Sequence, residues 1–326
     1  MAITITNDSG TILVDDGGTR YAYQKRNMSF KTFGNYVLFI IDNFEQLRVD
    51  YTEVTTPSST SAADLLTKLE AFLDIISSSD IYFDVARGKV EGFAVESKFG
   101  RNPDIDTGST PEDIWAPGGV YTGQPLTGAE TIEVFSDDAA DTSAGTGART
   151  IQIFGLDENW EPQNVTVTLN GTTPVATTEQ WQRVFRAVVL TAGSGGENAG
   201  GLTIRHTTTT ANIFAILPAG NNQTTIAAYT IPAGKTGYLN SLFLLLSRAN
   251  GSAGSAHITF RIREEGGVFR AIRNYQATNS GSVIPPFKSP VVLPAKTDIK
   301  VRCEDVSDSN TEVSAEFDII LEDNIT

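Results

Sequence analysis

Along most of the chain, apolar and polar residues alternate in short runs that are broken about every ten residues by Gly, Pro, Asn or Asp. Near the C-terminal end Ile299, Val301 and Cys303 alternate with Lys300, Arg302 and Glu304, and Val313, Ala315, Phe317, Ile319 and Leu321 repeat the pattern. A period of two puts successive side chains on opposite faces, so each stretch predicts a strand with one face in a core and the other in water. Ile258, Phe260 and Ile262 alternate with Thr259, Arg261 and Arg263 ahead of Glu264-Glu265-Gly266-Gly267, and a partner strand resumes at Val268. Residues 150–154 and 164–169 flank a turn at 157–162 and predict a hairpin. With strands this dense, residues 130–326 are expected to close as an antiparallel, jelly-roll-like β-sandwich.

The first 56 residues read as a small sheet: Ile3 and Ile5, residues 11–14, a turn at Asp15-Asp16-Gly17-Gly18, and an apolar stretch over 36–41. Asp-Gly pairs suit tight turns because Gly accepts positive φ. One helix is predicted after them. Leu65, Leu66, Leu69, Phe72, Leu73 and Ile76 recur at three and four residues, Ser61 stands as cap, and Asp64 favours the positive helix end. Its apolar stripe is expected to pack on the sheet, which makes residues 1–85 a β-plus-one-helix module. Two short strands follow at 81–85 and 90–95, around Arg87-Gly88-Lys89. Pro103, Pro111 and Pro117 argue against any regular element over 99–125, so 86–129 reads as a connector with short strands and a long loop. Trp115 and Tyr121 predict that something packs there.

Charge and composition narrow the function. The chain has 326 residues, with 24 Lys+Arg against 39 Asp+Glu, for a net charge of −15 and a pI near 4.6. Nucleic-acid binding relies on cations that displace counterions from phosphates, so this balance argues against such a partner. The single Cys303 leaves no internal disulfide, and with only His206 and His257 the usual zinc ligand sets cannot be assembled. The opening residues lack a basic and apolar leader pattern. The longest apolar run, 242–246, is far short of the ~20 residues of a membrane span. A soluble chain made in a cytoplasm, with no membrane partner, is expected.

A catalytic reading finds little support, and no catalytic, cofactor or metal residue is assigned. Ser or Cys nucleophiles need a base within hydrogen-bond reach. His206 and His257 sit at strand ends without a neighbouring carboxylate in sequence and read as surface histidines. Cys303 falls on the apolar face of its strand, where a thiol behaves as a small hydrophobe. Paired loop carboxylates, Asp104 with Asp106, Asp137 with Asp138, and Asp157 with Glu158, are the candidates for glycosidase-type acid–base chemistry. With Asp141, some are also candidates for calcium. Each lies in a loop where Asp ordinarily caps its own turn. Among the three tryptophans, Trp115 lies in the connector and Trp181 in a strand-like alternation. Trp160 follows a turn and is the candidate for stacking on a host-surface glycan.

Three stretches carry a resemblance. Residues 51–66, Tyr51-Thr52-Glu53-Val54 through Asp64-Leu65-Leu66, resemble the amino-terminal module of several tailed-bacteriophage virion proteins. Thr230-Ile231-Pro232-Ala233-Gly234-Lys235-Thr236-Gly237-Tyr238-Leu239, with the strands over 298–303 and 313–321, is similar to a β-sandwich of phage decoration, head-fibre and tail-associated proteins. Glu96-Ser97-Lys98-Phe99-Gly100-Arg101-Asn102-Pro103, continuing to Ile114-Trp115, resembles a connecting segment of the same class. The resemblance implies a non-enzymatic virion component on the particle exterior, assembled in the host cytoplasm. It further implies a homotrimer whose amino-terminal part grips the major capsid protein or other virion subunits. The alternative it leaves open is a tail- or fibre-associated host-recognition protein that binds glycans.

Overall fold

The computed structural model describes the strands within residues 4–50, isolated positions between 67 and 90, and residues 91–324 except 109–110, 249–250, 252–253, 279–280 and 286–288. The chain divides into two compact units, Met1–Val90 and Glu91–Thr326. Both are built from antiparallel sheets, and among the described residues helix is almost absent.

In the first unit, β1 (Thr4–Asp8), β2 (Thr11–Asp15) and β3 (Arg20–Gln24) form one three-stranded meander. A second is formed by β4 (Met28–Phe33), β5 (Tyr36–Ile41) and β6 (Glu45–Asp50). Alternation is legible in β2, where Ile12 and Val14 are buried and Leu13 and Asp15 half-buried. Arg20 pairs with Asp15 across the β2–β3 turn at 3.1 Å, and the Phe30 and Phe39 rings meet at 6.1 Å. Of the predicted helix, Thr67 and Leu69 are helical and Leu69 is buried. Its other positions, Ser61 and Asp64 included, lie outside the described residues. The strand expected over 81–85 is corrected at its described end: Val85 and Ala86 are helical. Gly88, at φ +70°, donates its N–H to the Val85 carbonyl at 2.9 Å, the left-handed stop that glycine gives a helical turn.

In the second unit the chain lays down β7 (Phe93–Ile105) and β8 (Glu112–Asp113), then builds a separate set of strands. These are β9 (Glu130–Ser136), β10 (Ala148–Leu156), β11 (Pro162–Thr168), β12 (Val175–Trp181), β13 (Arg183–Ala192), β14 (Leu202–His206) and β15 (Ile213–Leu217). It then returns for β16 (Ala228–Thr230), β17 (Lys235–Arg248), β18 (Ser255–Arg263), β19 (Arg270–Thr278), β20 (Ser282–Val283), β21 (Val291–Leu293), β22 (Asp298–Val306) and β23 (Thr311–Asp323).

The sheets β11-β10-β13 and β12-β9-β14-β15 share one core, which holds Trp181, Phe214, Ile132 and Ile153. The sheets β16-β22-β18-β19, with β8 on β22, and β20-β17-β23-β7, with β21 on β17, share the other. There the Phe260 and Phe317 rings meet edge to face at 5.4 Å across the layers. One sandwich is therefore inserted into another, between β8 and β16. The outgoing and returning connections run side by side: Trp115 bridges Ile226, and the Ala227 N–H donates to the Ile114 carbonyl at 2.9 Å.

Several sequence expectations are met. The β10–β11 hairpin pairs Ile151 with Val167 and Ile153 with Val165, and β18 pairs with β19. Ile299, Val301 and Cys303, like Val313 to Leu321 in β23, turn their apolar faces into the core. Each Val, Leu, Ile or Phe among them contributes roughly 1.5–3 kcal/mol by burial. Trp115 and Tyr121 pack edge to face at 5.1 Å in the inserted core.

Two further expectations are corrected. Residues 99–105 are not irregular: they are the second half of β7, paired with β23 from Phe93↔Glu322 to Ile105↔Thr311. Pro103 fits because β7 is an edge strand and the ladder shifts register at that point. The face of β22 expected to be wet is covered, because Lys300 is buried with its Nζ 2.8 Å from Asp113 on β8.

Candidate functional site at the sandwich junction

The loop carboxylates serve turns. Asp141 is fully buried; its Oδ1 accepts from the Ala148 and Ala199 N–H groups at 2.6 and 2.8 Å. Its Oδ2 accepts from the Gly200 N–H at 2.9 Å and the Ser136 hydroxyl at 2.6 Å. Asp137 accepts from the Gly201 N–H and Asp138 from the Ala140 N–H, at 2.8 and 2.7 Å. Asp157 takes the N–H groups of Asn159 and Glu161, both at 2.8 Å, and Asp106 takes that of Asn310 at 3.0 Å. Asp104 gives its own N–H to Asn102 Oδ1 at 3.2 Å. Among the described residues, no group of three or more His, Cys, Asp or Glu side chains is arranged to hold a metal ion.

One of the two histidines differs from its sequence reading. His206 is not at the surface: it is fully buried, edge-on to Phe214 at 4.6 Å, with Nδ1 3.2 Å from Asn212 Nδ2. The fold also supplies a carboxylate, Glu130 at 3.5 Å from Nδ1, brought in from β9. Burial lowers the His206 pKa against the pull of Glu130. Glu130 itself is lowered to about 2: its partial desolvation is overridden by hydrogen bonds from the Thr208 and Thr209 hydroxyls. His257 is half-buried, with Nε2 2.6 Å from Asn274 Oδ1 and Nδ1 3.5 Å from Asp305. Cys303 is buried as expected, and desolvation pushes its thiol up to about 12. Trp160 stands at the β10–β11 turn with φ 65°. Its ring is engaged by the Arg183 guanidinium at 4.7 Å and the Lys296 ammonium at 5.8 Å, and its carbonyl accepts from the Ala233 N–H at 2.9 Å. It thus ties one sandwich to the other.

Between the two cores lies a buried ionic network. Asp298, on β22, receives the Arg183 guanidinium from β13 in a two-pronged contact, Nε to Oδ1 at 2.8 Å and Nη2 to Oδ2 at 3.0 Å. Arg263, on β18, reaches the same carboxylate at 2.5 Å, and Thr230 donates to Oδ1 at 2.7 Å. All four side chains are buried. Gln124 stitches the site from the connection, donating to the Tyr229 and Ile299 carbonyls, each at 3.0 Å. Desolvating these charges is costly, and only the paired geometry offsets it.

Beside this network a groove of about 370 Å³ opens along the junction. Phe185, Tyr229, Pro232 and Leu321 are among its apolar lining, and the Phe185 and Tyr229 rings meet at 4.8 Å. Beneath them Lys98, 4% exposed, donates from Nζ to the Phe185 carbonyl at 2.7 Å and lies 5.2 Å from the Phe185 ring centre. Desolvation lowers the Lys98 pKa to about 8, despite the neighbouring Glu96. Glu96 and Arg186 line the groove, from β7 and β13. Burial raises the Glu96 pKa, with Lys98 and Arg186 opposing. No hydrogen bond or ion pair joins Glu96 or Arg186 to another described side chain, so both heads are left to solvent or to a ligand. The groove holds one carboxylate among its described lining, where glycoside hydrolysis ordinarily uses two.

Comparison with known proteins is sparse. No protein-family model matches the chain, and no curated protein matches it in sequence. Solved structures similar to it include T=1 particles derived from infectious bursal virus, at 12% identity and a TM-score of 0.22 over 72% of this chain and 70% of that one. Another is the VP2 subviral particle of infectious bursal disease virus, at 10% identity and a TM-score of 0.21 over 77% and 76%. At such TM-scores the superpositions do not establish a common fold.

Proposed function

We propose that the chain is a non-enzymatic structural protein of a tailed-phage virion. In this reading it is a capsid decoration, cement or head-fibre protein, trimeric and exposed on the particle, held to the major capsid protein or other virion subunits through its N-terminal unit. The observation that carries the reading is the build of residues 91–326. Two sandwich cores fused through paired connections and a buried ionic network make a stiff block whose use lies in what it touches. The resemblance of residues 51–66, 96–115 and 230–239 to virion proteins supplies the context, and a charge of −15 suits an outer surface better than one facing packaged DNA. Many symmetric copies would turn a modest contact into a lasting one.

The test is direct. Light scattering of the purified protein is expected to give three times the chain mass. Capsids of the encoding phage are expected to bind the whole chain and not a variant lacking Met1–Val90. A monomeric mass overturns the trimer, and capsid binding without Met1–Val90 overturns the anchor. The rival reading, a tail- or fibre-associated glycan-binding protein, is favoured by one observation, the open junction groove. It predicts adsorption of the purified protein to host cells.

A further inference from the structure

We infer that the junction groove is a saccharide-binding site, with Glu96 and Arg186 as its principal polar contacts. A sugar ring offers apolar C–H faces and a rim of hydroxyls, each of which donates and accepts a hydrogen bond. The groove offers the complement of both. Its apolar lining includes Phe154 and Phe185, both half-buried, over the buried Tyr229 and Pro232.

Its polar groups are mixed in kind and have capacity to spare. Arg186 brings an unused guanidinium and Glu96 an unused carboxylate. Gln163 spends its Nε2 on the Gln180 carbonyl at 2.6 Å and keeps its oxygen as an acceptor. Asn164 spends its Oδ1 on Gln152 at 3.1 Å and keeps its amide N–H groups as donors. A phosphate or other compact anion would meet Glu96, and of the two cations in the lining Lys235 is already paired with Asp323. A wholly apolar ligand would strip water from Glu96 and Arg186 without replacing its hydrogen bonds. A polyhydroxylated ligand does neither. The volume falls at the lower end of small-molecule sites, roughly 300–1,000 Å³, which suits one or two sugar rings. The two sandwiches contribute to the site together: Glu96, Tyr229 and Pro232 belong to one, and Phe154, Gln163, Asn164, Phe185 and Arg186 to the other.

The test uses the full chain and four probes: D-glucose, D-galactose, N-acetyl-D-glucosamine and L-rhamnose. Saturation-transfer NMR is expected to show transfer to at least one. For that sugar, Arg186→Ala and Glu96→Ala are each expected to weaken binding by about tenfold or more, because each removes a hydrogen bond to a charged group. Arg186 is exposed, so its truncation leaves the fold intact, which circular dichroism checks. Val268→Ala, at an exposed residue outside the groove lining, is expected to leave binding unchanged. Absence of transfer to all four sugars overturns the proposal. So does binding that survives both groove variants, or binding lost in Val268→Ala alone, which would place the site elsewhere. The outcome is separable from the structural reading, since capsid binding and trimer mass are measured without a sugar.

Discussion

His206 shows what burial does to one residue. Its ring is fully buried against Phe214, with one nitrogen near Asn212 and Glu130, and desolvation holds its pKa below the ordinary 6.5. The folded chain therefore binds this proton less readily than the unfolded chain. As pH falls below about 6.5 the unfolded state takes up the proton first, and stability declines until the folded-state pKa is passed. Glu130 acts in a different window. Its folded pKa of about 2 lies below the unfolded 4.5, so its contribution is present above 4.5 and is lost between those values. Urea unfolding followed from pH 7.5 to pH 5 is expected to show stability falling with pH in the parent chain. The slope should be missing from His206→Leu, whatever that change does to absolute stability; an equal slope in both would place the proton elsewhere. The alternation of β14 does put His206 on the buried face of Leu202 and Ile204, but the partners that fix its chemistry, Phe214, Asn212 and Glu130, lie apart from it in sequence and come to it only in the fold. Cys303 was legible, since its own strand's alternation puts it on the core face.

At the scale of the element, β7 decides how residues 91–326 close. It runs along the edge of the β17–β23 sheet, and its backbone at Gly100 lies against the paired connections. A Cβ there would sit 2.1 Å from the Ala227 nitrogen and 2.5 Å from the Ile114 carbonyl oxygen. These are backbone atoms joined by the Ala227 N–H to Ile114 carbonyl hydrogen bond, so they cannot move aside like a flexible side chain. Gly100→Ala is expected to cost about 3 kcal/mol or more in urea unfolding, at the upper end of overpacking. Gly108→Ala, where nothing lies within 4 Å, should cost little. Equal effects would show that the close approach at Gly100 is not a constraint. Strands with a clean period of two, such as β22 and β23, were readable because each carries its own evidence. β7 was not, because Pro103 argues against a central strand and nothing local reveals that β7 lies at an edge. The groove was illegible for the same reason. Glu96 and Arg186 are unremarkable on their own strands and acquire meaning only when β7 and β13 are brought side by side.

For the larger unit as a whole, the question is whether the two sandwiches melt as one. Their buried cores are largely separate sets of side chains, joined by Phe185 of the inserted sandwich, which packs on the host core against Tyr229 at 4.8 Å, and by Ala228 of β16, which lies in the inserted core. The rest of the coupling is polar: the Asp298 site, Gln124 on two carbonyls, Lys98 on the Phe185 carbonyl, and Trp160 against Arg183 and Lys296. Asp298 is the hub, since Arg183 comes from the inserted sandwich and Arg263 from the host sandwich. Removing its carboxylate leaves two buried guanidinium groups facing each other without a counter-charge, a loss on the order of 3–5 kcal/mol. That loss falls on the junction and spares both cores. Calorimetry of Asp298→Ala is therefore expected to split one transition of residues 91–326 into two, the host and inserted sandwiches unfolding in turn. Asp298→Asn keeps the shape but not the charge and should fall between. If Asp298→Ala melts in one transition at the parent temperature, the ionic network does not couple the sandwiches, and the coupling falls to the paired connections at Ile114 and Ala227 with the Lys98, Trp160 and Phe185 contacts.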